Sequence, residues 1–499
     1  MAAIGQVSPK DMEQSDSPKI LIINPPRYNG LNVRRDERSA DILPGEVSPF
    51  YQGAVLAQYL REKHRAVVDV LDANGLNLDF QAVEQWIKAR SDYKHIIIKA
   101  ADDTLLHDIV VGQIAKQYNL TTFLWEPILS PAAPERVLHE VNKDKQSIDY
   151  LILCEAEATF GDFLLSGSEA HGLAFIKDNE FVINQRLESE RLVDLNSLPI
   201  PNFQDLPVKE YRAWFGEGPW MTLFTSRGCI GTCSYCLIGG STVSRGYGRC
   251  IRLQSPERIF QEVSLLISKF GVKHITFWDD CFTLNRDRVV KFCDLVIEND
   301  LHFNWSCMSR ADLIDEELLL LMKKAGLTRL GFGVESGSQR ILDSIPKKVT
   351  VQQNMAAVKM CRRHGLWVWI FLIIGLPEEN WSTVRETINF VKKSKPDYLF
   401  SGCATPFPGT AYYDQCQQYS LFDGDIFDVI AREVVATGAQ PRARSKYLSE
   451  AELKRAEFLI HRAFLFSSIR VIISKIKENQ DKLSLTYLWS KLKFFCLGR

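Results

Sequence analysis

The sequence predicts an α/β protein with a Rossmann-like domain, then a partial (β/α)6 barrel, then a mostly helical C-terminal extension. Two observations lead to this prediction. Apolar runs of strand length alternate with amphipathic helical segments through both halves of the chain, as in parallel β/α units. A proline-rich connector at 195–207 separates the two halves. With 499 residues, 46% of them hydrophobic, the chain is long enough for two or three domains.

The Rossmann-like domain is predicted over residues 18–170, after a polar tail at 1–17 that we expect to be disordered. Predicted strands lie at 19–24, 66–71, 95–99, 121–125 and 149–153. Predicted helices lie at 48–60, 81–89, 104–118 and 134–141, the first with Ser48 as its N-cap and Pro49 as its first residue. Ligands of such sheets bind at the carboxyl ends of the strands, so the loops after Asn24, Asp72, Lys99 and Trp125 are candidate binding loops.

Residues 171–215 are predicted to form a hairpin and a linker. The hairpin spans 173–185 and turns at Asp178 and Asn179. Pro199, Pro201 and Pro207 make the connector that follows unsuited to regular structure. The second domain should therefore begin close to Trp220.

The barrel is predicted over residues 216–415, because six strand–helix repeats follow one another there. The strands are expected at 221–225, 274–278, 304–308, 329–334, 367–374 and 398–404. Helices are expected at 256–270, 286–299, 316–324 and 351–364. Catalytic groups should lie at the carboxyl ends of these strands, as they do in complete barrels.

The extension, residues 416–499, is predicted to be mostly helical. Ser449 and Glu452 have the spacing of a capping box. Apolar residues then alternate with basic ones from Arg462 to Lys477. Two interpretations of this amphipathic tail stay open. It contacts a membrane surface or a lipid-like substrate, or its apolar face packs on the barrel.

Composition excludes several classes of protein. The formal net charge of −1 and the absence of a basic, aromatic patch argue against nucleic-acid binding. No Gly-x-Gly-x-x-Gly segment follows the first strand, which argues against a nicotinamide cofactor. Twelve scattered cysteines, no signal peptide and no long apolar run predict a cytoplasmic protein with reduced thiols.

The most informative motif is the loop containing Cys229, Cys233 and Cys236. The spacing C-x3-C-x2-C can turn three thiolates toward one point, which suits three corners of a [4Fe–4S] cluster and leaves the fourth iron open. A zinc site of Cys233, Cys236 and Cys250 is the alternative, although structural zinc requires four ligands and no matching pair lies nearby.

Together with Ser226, Arg227 and Gly228, this loop resembles the signature of radical S-adenosylmethionine (SAM) enzymes. The resemblance implies that the open iron chelates the amino and carboxylate groups of SAM. It further implies that reduction of the cluster cleaves SAM to a 5′-deoxyadenosyl radical. The electron would come from a flavodoxin-type or other reductant.

The same resemblance suggests SAM-binding residues at the ends of later barrel strands. Asp279 and Asp280 stand where the family binds the SAM amino group, although acidic residues there also cap helices. Glu335 and Ser336 are candidates for the ribose or methionine part of SAM. Gly375 resembles the end of the adenine-binding segment, and Arg310 is a further candidate contact.

A Rossmann-like domain before such a barrel resembles the cobalamin-dependent branch of the family. The matching pieces suggest cobalamin contacts at Asn24, Pro25, Asp103, Thr104 and Glu155. A histidine ligand to cobalt is not expected, because His107 lacks the spacing of the Asp-x-His-x-x-Gly motif. Trp125 stands where relatives often have glycine. It would either crowd the corrin ring or cover its lower face, so cobalamin could also have been lost.

These features predict a cobalamin-dependent radical SAM methyltransferase acting on an unactivated carbon of a small or lipid-like natural-product intermediate. The first alternative uses the same cofactors for cyclisation, ring rearrangement or oxidation. The second alternative is a non-catalytic iron–sulfur or metal-binding protein.

Overall fold

The computed structural model describes residues 18–35, 40–41, 45–90, 92–185, 193–215, 218–238, 251–425 and 441–467. The predicted tail at 1–17 and the amphipathic segment beyond Ser467 lie outside these residues. In the first half of the chain the strands are β1 (Lys19–Asn24), β2 (Arg34–Arg35), β3 (Ala40–Asp41), β4 (Val67–Asp72), β5 (Tyr93–Lys99), β6 (Thr121–Trp125), β7 (Tyr150–Ile152), β8 (Leu173–Lys177) and β9 (Glu180–Ile183).

Seven of these strands form one sheet in the order β4-β1-β5-β6-β7-β8-β9. The first five strands are parallel, and the β8–β9 hairpin adds two antiparallel strands at one edge. The turn at Asp178 and Asn179 is confirmed, since both residues have positive φ. The hairpin thus continues the first sheet, and the domain limits chosen from the sequence stay a prediction.

Helices cover both faces of this sheet. They are α1 (Tyr51–His64), α2 (Phe80–Lys88), α3 (Leu105–Asp108), α4 (Val110–Gln117), α5 (Leu129–Ala132), α6 (Pro134–Asn142) and α7 (Ala156–Ser166). The strand order corresponds to the doubly wound arrangement 2-1-3-4-5. The order in which strands are added reverses between β1 and β5, and ligands of such sheets bind at this point.

Two predicted helices differ from the observed ones. The first helix begins at Tyr51 rather than Pro49, because the Ser48 hydroxyl donates to Glu46 Oε1 (2.5 Å) and does not cap the helix. The predicted helix 104–118 is divided into a 3-10 turn at Asp102–Thr104 and the helices α3 and α4. The break holds Asp108 in place for a buried ion pair with Arg35 (2.6 Å).

The second half contains a six-stranded, fully parallel half-barrel. Its strands continue the numbering as β10 (Trp220–Leu223), β11 (Ser226–Arg227), β12 (Arg252–Leu253), β13 (His274–Phe277), β14 (Asn304–Ser309), β15 (Leu327–Glu335), β16 (Trp367–Ile374) and β17 (Tyr398–Cys403). The sheet order is β10-β13-β14-β15-β16-β17, and β11 and β12 form a separate antiparallel ribbon. The predicted partial (β/α)6 barrel is therefore confirmed.

Helices of this half pack outside the barrel strands. They are α8 (Pro256–Phe270), α9 (Arg286–Glu298), α10 (Glu316–Lys324), α11 (Gln339–Ser344), α12 (Val351–Arg363), α13 (Trp381–Ser394), α14 (Ala411–Gln418) and α15 (Glu450–Leu465). Helix α15 begins with the predicted capping box of Ser449 and Glu452 and packs on α13, β16 and β17. Within the described residues, none of the helices is long and apolar enough to cross a membrane.

Aromatic side chains close the amino end of the barrel. The Trp214 ring lies 4.4 Å from Tyr398 and 5.3 Å from Trp367, measured between ring centroids. Phe215 packs against His274 at 4.8 Å, and the Arg329 guanidinium lies 4.0 Å from the Phe215 ring centre. These rings pack across the amino end of the barrel, opposite the carboxyl ends of the strands.

Candidate functional site

The three cysteines lie on the loop that follows β10, at the carboxyl end of the barrel sheet. Gly228 begins this loop with φ +90°, a conformation that favours glycine. A Cβ atom on Gly231 would lie 3.5 Å from Cys229 Sγ and 3.6 Å from Cys233 Sγ. The loop therefore bends so that two thiols lie on either side of Gly231. Its backbone amide donates to Cys229 Sγ (3.3 Å).

Cys233 is buried, whereas Cys229 and Cys236 are partly exposed. Burial raises the pKa of the Cys233 thiol, and the positive charge of Lys347 opposes that rise. In the part of the chain that is described, no three His, Cys, Asp or Glu side chains converge on a single-ion site. The donor set of three thiols on one bent loop remains the predicted cluster site.

Asp279 holds the start of the cysteine loop. It is fully buried, and its carboxylate accepts from the Thr225 amide (2.6 Å), the Thr225 hydroxyl (2.5 Å) and the Ser226 amide (3.1 Å). Arg288 of α9 donates to the same carboxylate at 3.4 Å. Asp279 is thereby a positioning residue between β13 and the loop. Its predicted SAM contact, like that of the half-buried Asp280 beside it, stays a prediction.

Glu335 ends β15 in an unusual backbone conformation. Its φ is +63°, and the Ser336 amide donates to the Val334 carbonyl (2.8 Å), which makes a γ-turn centred on Glu335. The turn directs the buried carboxylate toward the cysteine loop, where Lys347 donates to it. Glu335 also interacts with Tyr235, which lies between Cys233 and Cys236 in the sequence. Burial raises the pKa of the Tyr235 phenol, and the negative charge of Glu335 raises it further.

Two further predicted residues surround this turn. Ser336 is buried, and its hydroxyl pairs with that of Thr387 (3.1 Å). Arg310 follows β14 and lies near the cysteine loop, since its Nη1 is 4.0 Å from the Cβ position of Gly231. Its guanidinium is held by Asp312 (2.9 Å) and by the Lys347 carbonyl (2.8 Å). The SAM contacts of Ser336 and Arg310 stay predictions.

Gly375 follows β16 with φ +90°. Its amide faces Glu379 Oε2 (3.3 Å), and its carbonyl accepts from the Tyr412 hydroxyl (3.2 Å). Burial raises the pKa of Glu379 to about 7. The segment predicted to bind adenine is thus a tight turn between β16 and α13, with the buried carboxyl of Glu379 behind it.

The predicted cobalamin residues gather at the carboxyl edge of the first sheet. Asn24 bridges Asp72 (2.8 Å) and Arg35 (3.0 Å), and the Pro25 carbonyl accepts from Arg35 (3.1 Å). Asp103 pairs with Arg442 of the C-terminal extension (2.7 Å). These residues flank the point between β1 and β5 where the strand order reverses.

The same edge carries buried polar groups. The Thr104 hydroxyl donates to Asp108 (2.8 Å). Asp102 is 3% exposed, and one of its carboxylate oxygens lacks a hydrogen-bond partner, as does the buried Ser130 hydroxyl. Burial, followed by the charges of Asp103 and Glu126, raises the pKa of Asp102 well above its usual value. Unpaired buried polar atoms are rare in native proteins and often belong to ligand sites.

Trp125 is buried within the apolar core, with Lys99 Nζ 4.4 Å from its ring centre. It does not project as an exposed ring from the end of β6. His107 lies between the rings of Tyr28 and Phe80 and faces the Pro26 carbonyl (3.2 Å). It is accordingly a packed helix residue, as the sequence favours.

Glu155 connects the first sheet to the cysteine loop. It follows β7 and accepts from Arg252 (2.5 and 3.0 Å), while Arg227 lies 3.1 Å away. Glu157 accepts from Arg227 at 2.7 Å. Arg227 and Arg252 lie opposite each other in the β11–β12 ribbon. Arg227 is two residues before Cys229 in the sequence. The four side chains form a buried interdomain ion cluster that the sequence did not predict.

A second contact brings the two sheets together. Arg34 of β2 forms an ion pair with Glu46 (2.6 Å), and its guanidinium lies 4.3 Å from the ring centre of Trp278, which follows β13. Together with the interdomain ion cluster, this contact turns the carboxyl edges of both sheets toward each other. A Rossmann-like domain and a half-barrel whose carboxyl edges face each other, with a three-cysteine loop between them, form the arrangement that the resemblance to radical SAM enzymes predicts.

Comparisons with known proteins agree. The family model of the Radical SAM superfamily matches residues 223–391. An uncharacterized methyltransferase of Pyrococcus horikoshii is 29% identical over 470 residues, which cover 92% of this chain and 95% of that protein. The anaerobic magnesium-protoporphyrin IX monomethyl ester cyclase of Rubrivivax gelatinosus is 27% identical over 54% of this chain, a match that spans 46% of the cyclase.

Two solved structures share the fold. OxsB, a cobalamin-dependent S-adenosylmethionine radical enzyme, superposes with a TM-score of 0.66 and 16% identity, covering 95% of this chain and 70% of its own. TsrM from Kitasatospora setae, a radical S-adenosylmethionine methyltransferase, has a TM-score of 0.62 and 15% identity, covering 81% and 77%. Residues 223–391 thus match the Radical SAM superfamily, and the chain shares the two-domain fold of OxsB and TsrM.

Proposed function

We propose that this chain is a cobalamin-dependent radical SAM methyltransferase that methylates an unactivated carbon of a small or lipid-like natural-product intermediate. The observation that carries the proposal is that the cysteine loop and the carboxyl edge of the first sheet face one another. A radical centre and a methyl carrier must both reach one substrate carbon, and this arrangement allows it.

The residues present fit a [4Fe–4S] cluster with SAM. Cys229, Cys233 and Cys236 would hold three irons, and Gly231 leaves room between the first two thiols. Asp279 would keep the loop in place. Arg310, Glu335 and Ser336 lie beside the loop as polar groups for SAM.

The residues at the first sheet fit cobalamin. The unpaired oxygen of Asp102 and the unpaired hydroxyl of Ser130 are buried at the edge where such sheets bind ligands. Buried Trp125 leaves that edge clear. With these groups bound, one SAM would be cleaved to remove a hydrogen atom from the substrate, and a second would restore the methyl group on cobalamin.

The barrel interior supports an apolar substrate. Phe371 and Phe400 stack at 5.0 Å on the strand faces opposite the packed helices. Both rings are partly exposed and lie above the aromatic closure at the amino end. A lipid-like substrate, a flavodoxin-type or other reductant, and a cytoplasmic location with reduced cysteines are parts of the proposal. Peripheral membrane contact through the C-terminal tail rests on residues beyond Ser467, outside the described ones.

Anaerobic purification followed by optical spectroscopy, SAM cleavage and product mass spectrometry tests the proposal. We expect cluster and cobalamin absorption, 5′-deoxyadenosine, S-adenosylhomocysteine and a methylated product. Cys233→Ala should lose the cluster and SAM cleavage, whereas Cys293→Ala, a buried thiol of α9, should keep both. A wild-type protein that binds no cobalamin would overturn the proposal.

A second candidate function is cyclisation, rearrangement or oxidation with the same cofactors. It is favoured by the similarity to the Rubrivivax gelatinosus cyclase. 5′-Deoxyadenosine formed without S-adenosylhomocysteine or methylated product would select this candidate.

A further inference from the structure

The indole of Trp369 carries a buried N–H group that is not satisfied within the protein. The residue is 3% exposed, and among the described residues its Nε1 finds no hydrogen-bond partner. A buried donor without an acceptor is unfavourable, so such a group usually meets a ligand or a water molecule. Trp369 is not among the residues predicted to bind the cluster, SAM or cobalamin. Its N–H is therefore a candidate contact for a different molecule.

The strand register places this indole in the interior of the half-barrel. Trp369 lies between Trp367 and Phe371 on β16, and side chains two residues apart point to the same face of a strand. Trp367 packs in the aromatic group at the amino end of the barrel, whereas Phe371 stacks on Phe400 closer to the carboxyl end. Trp369 thus forms the floor of the space that lies between these rings and the carboxyl ends of the strands.

Gly331 lets the indole extend across the neighbouring strand. The two residues are paired in the register of β15 and β16, and a Cβ atom on Gly331 would lie 2.2 Å from both Nε1 and Cε2 of Trp369. A larger residue than glycine would collide with the ring at this position. The edge of the indole that carries the N–H therefore lies over β15, inside the barrel.

The space above this floor is open on the side of β17. A Cβ atom on Gly402 would meet no described atom within 4 Å. Gly402 pairs with Ile373, which points to the same face as Trp369. Strand β15 rises about 13 Å between Gly331 and Glu335, which lies beside the cysteine loop. A molecule that occupies this space therefore has one end on the floor and the other end near the cysteines.

We propose that Trp369 is a specificity-determining residue that donates its indole N–H to a neutral oxygen, such as a carbonyl or ether oxygen, of an otherwise apolar substrate. The inference rests on the proposed function and names its substrate class. An indole N–H is a donor only, and the surrounding rings do not stabilise a charged acceptor. A hydrocarbon in the same place would leave the N–H unsatisfied, and this difference selects for the oxygen.

Equilibrium dialysis of the full-length, anaerobically reconstituted protein against fluorenone and fluorene tests the inference. These two probes have nearly the same flat shape and differ in one carbonyl oxygen. We expect the ratio of the fluorenone affinity to the fluorene affinity to fall roughly tenfold in Trp369→Phe, because only the ketone loses a hydrogen bond. Trp381→Phe is the matched control and should keep the ratio of the wild type. The Trp381 N–H donates to Glu452, between helices outside the barrel (3.1 Å).

A second variant keeps the shape of the floor and removes only the donor. The amino acid β-(3-benzothienyl)alanine, introduced at position 369 by amber suppression, has the outline of tryptophan and no N–H. It should lower the affinity ratio as Trp369→Phe does. The urea midpoint of unfolding should stay that of the wild type, because the N–H has no partner in the ligand-free protein.

Three results would overturn the inference. A lower urea midpoint in the benzothienyl variant would show that the N–H bonds the protein itself. An unchanged affinity ratio in that variant would show that the ketone does not contact the N–H. A wild type that binds neither probe would show that the barrel interior does not take apolar molecules of this kind.

Cobalamin binding and SAM cleavage, measured on the same samples, separate this inference from the proposed function. If the wild type binds cobalamin and cleaves SAM while the affinity ratio is unchanged in the benzothienyl variant, the inference alone is wrong. If the ratio falls as expected but the wild type binds no cobalamin, the floor still recognises a neutral oxygen and the proposed function is wrong.

Discussion

At the end of β15, Glu335 has φ +63° although it is not glycine. Side chains with a Cβ are strained in this region, by about 1–2 kcal/mol. The strain is tolerated because Lys347, Tyr235 and the γ-turn bond hold the carboxylate beside the cysteine loop. Backbone outliers of this kind cluster at functional sites. A sequence cannot show this conformation, since Glu335 alone fits an ordinary strand end.

Replacing Glu335 by glycine and by alanine separates backbone strain from the lost ion pair. Both variants leave Lys347 without its carboxylate, but only glycine adopts positive φ without strain. We expect Glu335→Gly to unfold with a free energy about 1 kcal/mol higher than Glu335→Ala, measured in urea. Equal stabilities would mean that the γ-turn relaxes when the carboxylate is removed.

Glu379, behind the Gly375 turn, should make stability depend on pH. Its pKa is raised by burial from 4.5 to about 7, and its neighbours Cys403 and Tyr412 also have raised pKa values, so both stay neutral near pH 7. The folded state then binds a proton more tightly than the unfolded state. This contribution to stability is fully present below about pH 4.5 and is lost as pH rises through about 7.

We therefore expect wild type to lose about 2–3 kcal/mol relative to Glu379→Gln between pH 4.5 and 8. The measurement is urea unfolding of both proteins across that range. Glu378→Gln is the control, because Glu378 lies on the surface and pairs with Lys446 (2.7 Å). A constant difference between wild type and Glu379→Gln would show that the pKa of Glu379 is the same in the folded and unfolded states.

Strands and helices with a clear hydrophobic periodicity could be predicted from the sequence. The contacts that these elements make with distant parts of the chain could not. The helix α8 and the strand β16 have the predicted limits, because apolar spacing and caps specify them locally. The predicted start of α1 was wrong because the Ser48 hydroxyl donates to Glu46 and does not cap the helix. The roles of Glu155 and Glu157 were missed because Arg227 and Arg252 lie 70 to 97 residues further along the chain.

The interdomain ion cluster should support the cysteine loop. Glu155→Gln leaves Arg227 and Arg252 buried with reduced compensation, which should lower the unfolding free energy by about 3–5 kcal/mol. We also expect a lower iron content after reconstitution, because the β11–β12 ribbon leads into Cys229. Glu257→Gln is the control: it breaks an exposed pair with Lys291, which solvent screens, so it should leave the unfolding free energy nearly unchanged. Normal iron content in Glu155→Gln would show that the cysteine loop keeps its conformation without the interdomain ion cluster.

At the scale of the molecule, the two domains share one apolar core. Leu56 of helix α1 belongs to the same buried apolar cluster as Ile22 and Ile97 of the first sheet and Met221 and Leu223 of the barrel. Tyr51 reaches further and donates to Glu262 of α8 (2.9 Å). The periodicity of the strands predicts each sheet separately, and the sequence of α1 predicts a helix without indicating which sheets it contacts. The sharing of its surface between two sheets is visible only in three dimensions.

A continuous core predicts that the domains unfold together. We expect a single calorimetric transition whose measured enthalpy equals the van't Hoff enthalpy, since separating the domains would expose apolar surface on both. Glu155→Gln should lower the midpoint without dividing the transition, because ion pairs at the rim do not interrupt the core beneath α1. Two transitions in the wild type would instead mean that the domains move as independent bodies. The facing of the two sheet edges would then be one of several arrangements, and methyl transfer would require ligand binding to bring the edges together.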